Sequence, residues 1–168
     1  MNLAVLGLGN LIRRDDGVGI HAIHILSGGN RLPCDVQIIE GGTLGLDLLS
    51  GLRGVSHLLA LDAVDAGASP GTLLRFENEE LSSLPISKSV HLLGFADLLG
   101  AMRLLEDAPC EVVLLGIQPE SIDWGVTLSP AVYAALNDLL DAAHAQIMNW
   151  LEEAGKEREL CALQFPAK

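Results

Sequence analysis

The chain opens on an unbroken apolar run at residues 3–8, closed by Gly7-Leu8-Gly9-Asn10. Strands covered on both faces in a parallel sheet have this form. A loop of mixed charge is expected at 11–16. Residues 17–27 then place Val18, Ile20, Ala22, Ile25 and Leu26 on one side of a helix, which Gly28-Gly29 ends. Residues 36–39 predict a second strand running into Glu40-Gly41-Gly42-Thr43, with Thr43 as N-cap of a helix through Leu44, Leu46, Leu48 and Leu49. Residues 57–61 predict a third strand, closed by Asp62-Ala63-Val64-Asp65. A turn at 66–70 leads to a fourth, edge strand at 71–76, and 77–88 is polar and reads as irregular.

An apolar helical stripe covers 89–105, with His91 in its first turn, and 111–117 is a fifth strand. After a loop at 119–127, Ser129-Pro130 marks the start of the longest helix, Ser at the N-cap and Pro at the first helical position. That helix is expected to run to about Ala154. Residues 155–168 show no period and read as a C-terminal tail, loosely ordered. The alternation of strands and helices predicts one α/β domain over residues 1–154, with a largely parallel sheet and no repeat or linker.

Composition narrows the classes. The chain has 168 residues, 49% of them hydrophobic, enough for a core without disulfides. Its 10 Lys+Arg against 22 Asp+Glu give a net charge of −12. That balance argues against sequence-independent nucleic-acid binding and against anionic membrane surfaces, and permits a basic peptide or a metal cation as partner. No apolar run approaches a membrane span. The N-terminus lacks a basic region ahead of its apolar run, so a signal peptide is not expected. The three cysteines, Cys34, Cys110 and Cys161, form no C-x-x-C pair and suit a reduced, cytoplasmic protein.

In parallel α/β sheets, function gathers beyond the carboxyl ends of the strands. Here those ends carry Asn10, Asp15 and Asp16, then Glu40 to Thr43, then Asp62 and Asp65, with His91 at a helix start. Carboxylates brought together repel, so either one stays protonated or a cation joins them. Two carboxylates and an imidazole suit a borderline divalent metal with open positions, and Asp16, Asp62 and His91 fit that description. Other roles stay open. Asp15 or Asp16 also suits a helix N-cap, Asp62 a loop cap, His91 a helix-start surface residue, and Gly41-Gly42 a tight turn. Gly7-x-Gly9 resembles the opening of a dinucleotide fingerprint. However, Ile12 replaces the third glycine, and two aspartates sit where a pyrophosphate would bind. No G-x-S-x-G elbow exists.

These motifs together carry a family resemblance: Gly7-Leu8-Gly9-Asn10 with Asp15-Asp16-Gly17-Val18-Gly19, an acid before Gly41-Gly42-Thr43, Leu61-Asp62-Ala63, Pro70-Gly71-Thr72, His91 with Gly94 and Asp97, and Gly116-Ile117-Gln118-Pro119-Glu120. In this order the chain resembles the hydrogenase maturation endopeptidases, which process the large subunit of nickel–iron hydrogenases. The resemblance implies a three-layer αβα sandwich around a twisted, mostly parallel five-stranded sheet. It implies removal of a C-terminal extension from a nickel-loaded large-subunit precursor. Asp16, Asp62 and His91 would serve as metal-reading and catalytic residues, and Glu40, Gly41, Gly42 and Thr43 would contact the substrate. Nickel would come with the precursor, with a surrogate divalent cation able to replace it, and no organic cofactor is implied. The expected protein is a monomer whose partner is the precursor. Three positions depart from the family's usual pattern: Asp16 where Glu is frequent, Glu40 where Asp is common, and Leu92 where Gln often follows the histidine. The departures leave room for an alternative, a non-catalytic metal-dependent chaperone or docking module for the precursor.

Overall fold

A computed structural model describes residues 1–28, 32–33, 36–83 and 90–164, with side chains at all of these except 79, 82–83, 90–92 and 157–164. Strands β1 (Leu3–Leu8), β2 (Val36–Gly42), β3 (His57–Ala63), β4 (Leu73–Glu77) and β5 (Glu111–Ile117) form one sheet in the order β2-β1-β3-β5-β4. β1 runs parallel to both neighbours, Leu3 facing Val36 on one side and His57 on the other. β5 is parallel to β3, and β4 is the antiparallel edge, with Leu73 opposite Ile117.

Helices α1 (Val18–Gly28) and α3 (Pro130–Gln164) cover one face and α2 (Val90–Leu104) covers the other, which makes the three layers. Alternation along each strand sorts the core. Val5, Leu59, Leu61, Val113 and Leu115 face Ile20, Ile23, Leu136, Leu139 and Trp150 of the first layer. Ala4, Leu6, Leu58, Ala60, Val112 and Leu114 face Phe95, Leu98 and Met102 of α2, together with Leu48 and Leu52. The Trp150 indole N–H donates to Glu111 Oε2 at 2.7 Å, so its polar edge is satisfied where the ring is buried.

Several elements differ from expectation. Residues 45–50 form a 3-10 helix, Gly45–Ser50, and no side chain caps it; Thr43 is not its N-cap. Gly45 sits at φ +54 and a turn begins at Gly51, which leaves too few residues to meet the nucleation cost of an α-helix. Part of the loop expected at 11–16 is a 3-10 turn, Arg14–Gly17, leading directly into α1. Residues 78–83 are a 3-10 helix rather than irregular. The last helix begins as expected, with Ser129 Oγ accepting from Val132 N–H, but runs to Gln164 instead of stopping near Ala154. Its extension is rich in Glu, Leu, Ala, Lys and Arg, and Gly155 alone costs too little to end it. Cys110 is an exposed free thiol ahead of β5. Cys34 and the Cys161 side chain lie outside the described residues. Among the described residues no helix is long and apolar enough to cross a membrane.

Candidate active site

The carboxyl ends of β1, β3 and β5 meet on one edge of the molecule, and the polar residues predicted for that edge are distributed over it unequally. β1 ends at a bulge, where Gly7 pairs with Glu40 but Leu8 with Gly42. Gly9 follows at φ +115, its N–H bonded to the Gly42 carbonyl at 3.0 Å. A Cβ on Gly9 would fall 1.7 Å from the Asp16 carbonyl oxygen, so glycine is what lets the Arg14–Gly17 turn fold back over the end of β1.

The two aspartates of that turn do different work. Asp15 is fully buried. Its Oδ2 accepts from the backbone N–H groups of Glu120 (2.9 Å) and Ser121 (3.0 Å), and its Oδ1 from that of Ser129 (2.6 Å). It therefore ties the first loop to the loop after β5 and to the N-cap of α3; it is not the N-cap of α1. Asp16 is 8% exposed and opens onto a pocket lined by Ala63, Asp65, Gln118, Glu120, Ser121 and Ile122.

Asp62, 0% exposed, is the last polar residue of β3, and its Oδ1 accepts from the Ala63 N–H at 2.8 Å. It shares parity with Leu58 and Ala60, so it belongs to the face that α2 covers. α2 begins at the same end of the sheet, where Gly94 and Phe95 share a small cavity with Leu8, Gly42 and Gly45, and His91 is in its first turn. The His91 side chain lies outside those described. Among the described residues no three His, Cys, Asp or Glu side chains gather on one metal position. The Arg14–Gly17 turn itself packs against β3. Asp16 and Asp62 thus approach the crest of the sheet from opposite layers.

The Glu40-to-Thr43 segment borders a separate cleft, shared with Gly9, Asn10, Leu11 and Ile20. Glu40 is exposed and pairs with His24 Nε2 of α1 at 2.8 Å. One turn earlier, His21 is pushed below its usual protonation range, mainly by burial and further by the neighbouring His24. Gly42 takes φ +53, and the Gly41 carbonyl accepts from Leu44 N–H, so the glycine pair does build a tight turn.

The roles of two residues named in the sequence motifs escaped the sequence reading. Asp15 was read as a strand-end acid or a cap and not as a tie between loops, because its three partners lie more than a hundred positions away. Gln118, nearly buried, fixes the Asp65 loop: its Oε1 accepts from Ala66 and Ala68 N–H and its Nε2 donates to Asp65 Oδ1. The signal for Gln118 was present as a polar residue directly after an apolar strand.

Comparison with known proteins gives a consistent result. A family model described as hydrogenase maturation protease (HycI) matches residues 20–146. The hydrogenase 2 maturation protease of Escherichia coli K12 is 35% identical over 159 residues, covering 94% of each chain. The hydrogenase expression/formation protein HupD of Rhodobacter capsulatus is 33% identical over 155 residues, 90% of this chain and 74% of that protein. Among solved structures, the hydrogenase maturating endopeptidase HybD from E. coli aligns with a TM-score of 0.82 at 33% identity, over 92% of this chain and 94% of that one. HybD from Thermococcus kodakarensis aligns at 0.73 and 28% identity, over 88% and 99%. With the layered fold, the acidic crest and these relatives in agreement, the chain belongs to the hydrogenase maturation protease family.

Proposed function

We propose that this protein is an endopeptidase that removes the C-terminal extension of a nickel-loaded hydrogenase large-subunit precursor, and that Asp16, Asp62 and His91 read the nickel the precursor carries. The observation that carries this reading is the pair of nearly dry aspartates, 8% and 0% exposed, at one end of the sheet in a family of proteases. Two carboxylates held out of water repel each other, and a cation shared with the substrate relieves that repulsion. Two hard oxygens and one imidazole nitrogen are a donor set suited to a borderline divalent ion, with positions left for the precursor's own ligands.

Such an ion, brought by the precursor to lie beside the scissile carbonyl, would polarise it and lower the pKa of an attacking water. The chain's own residues do the rest. Asp16 and Asp62 hold the loaded precursor, and whichever carboxylate is not fully engaged accepts the proton of the water. Glu40 and the Gly41-Gly42 turn, bordering the neighbouring cleft, orient the precursor's segment, with Thr43 beside them. His24 keeps the Glu40 carboxylate in place. Coordination exists only for nickel-loaded precursor, so cutting waits for insertion.

Asp16→Asn, Asp62→Asn and His91→Ala test the assignment. Each variant is expected to keep the parent's circular dichroism spectrum and to lose processing of nickel-loaded precursor, read by mass spectrometry. Divalent-cation affinity, measured by calorimetry, is expected to fall in both Asn variants. Parent-like processing by the His91 variant, or unchanged affinity in both Asn variants, contradicts the assignment.

A further inference from the structure

Large apolar side chains stand exposed beside the Asp16 pocket. Ile12 (52%), Trp124 (76%) and Val126 (68%) lie on the loops after β1 and β5, with the partly exposed Ile122 between them. These loops are not slack. The Arg14 N–H donates to the Gly125 carbonyl at 2.9 Å, and the Gly125 N–H to the Ile12 carbonyl at 3.0 Å. Arg13 Nε donates to the Ile122 carbonyl at 3.0 Å, and its guanidinium carbon lies 5.8 Å from the centre of the Trp124 ring. Beneath them the Asp15 carboxylate locks both loops together.

An indole on a braced backbone, with a guanidinium beside its ring, has fewer conformations to lose than one on a slack loop, so a partner that covers it gains apolar contact at a reduced ordering cost. Tryptophan is prominent among the residues that anchor protein interfaces. Ile122 belongs to the pocket lining as well, so the loop that carries Trp124 and Val126 also borders the site of Asp16. On the pocket side the charged neighbours are Asp16, Asp65 and Glu120, with Asp123 on the loop itself. The nearby cations are Arg13, engaged on Trp124, and Arg14, packed against Gly125.

We propose that Ile12, Ile122, Trp124 and Val126 form the docking surface for the precursor protein. It receives an apolar side chain of the segment entering the Asp16 pocket, beside a basic group that meets Asp65 and Glu120. The proposal rests on the reading above of what enters that pocket.

Trp124→Ala tests it, in a side chain exposed enough for the fold to be indifferent to its loss. With nickel-loaded precursor, KM is expected to rise about tenfold with kcat within about twofold of the parent, and Trp124→Phe to retain parent-like KM. Binding of nickel-free precursor, measured by calorimetry without any cleavage, is expected to weaken by the same factor. Equal binding by parent and Trp124→Ala overturns the docking surface, as does a parent that does not bind the precursor at all. A concentration-dependent dimer of the free protein that Trp124→Ala abolishes also overturns it, since a second copy would then cover the patch. Failure of the parent to cut the loaded precursor removes the proteolytic reading instead, and the binding comparison still decides the docking surface.

Discussion

The Asp15 carboxylate accepts three backbone hydrogen bonds from Glu120, Ser121 and Ser129, while Asp16 beside it faces a pocket. Composition alone makes the two interchangeable; their difference comes from chain geometry at the Arg14–Gly17 turn. Asp15→Ala leaves three N–H groups without their acceptor, at roughly 1–3 kcal/mol for each one that stays dry. Because the loops can relax and admit water, the expected loss is about 3 kcal/mol in total, read as a lower urea midpoint. A midpoint equal to the parent's contradicts the strut. Asp16, Asp62 and His91 were legible as candidates from strand ends and from the resemblance. Asp15's role was not, since a sequence does not display which amides a buried carboxylate will meet.

At the scale of elements, the five strands were legible because each is a short apolar run bounded by turn residues, and the strand expected at 71–76 is the edge strand β4, whose burial alternates along its length. The 3-10 segments were not legible. Leu44 to Leu49 has a helix-like apolar spacing, but tertiary geometry allows only six residues, Gly45–Ser50, before the next turn. The length of α3 was missed because its last turns lack an apolar stripe and depend on propensity alone. The close contact between α1 and the sheet is at Gly19, where the helix crosses the strands. A Cβ there would fall 2.1 Å from the Leu61 carbonyl oxygen and 2.5 Å from that of Leu8. Gly19→Ala is expected to push α1 outward, carrying the adjoining Asp16 turn with it, and to cost roughly 1–3 kcal/mol together with much of the processing activity. Gly28→Ala, at the open end of the same helix, is the control and is expected to stay within about 0.5 kcal/mol of the parent. Equal stability of the two variants in thermal unfolding contradicts this joint.

Over the whole molecule, the parallel strands of the mixed sheet gather at one edge residues drawn from positions 9 to 126. Asp16 arrives from the layer of α1 and Asp62 from the face covered by α2, whose first turn holds His91. The apolar rim at Ile12, Trp124 and Val126 and the cleft of Glu40 flank the same edge. Periodicity could announce the layers, and the resemblance could suggest the ligand set proposed above. Neither announces the rim, because exposed apolar residues in loops have no period, and only the paired loops after β1 and β5 bring them together. The central claim is that the acidic crest responds to nickel within the precursor. It is tested most directly by presenting the parent enzyme with matched nickel-loaded and nickel-free precursor and weighing both products by mass spectrometry. The account predicts that only the loaded precursor is shortened; equal shortening of both contradicts it.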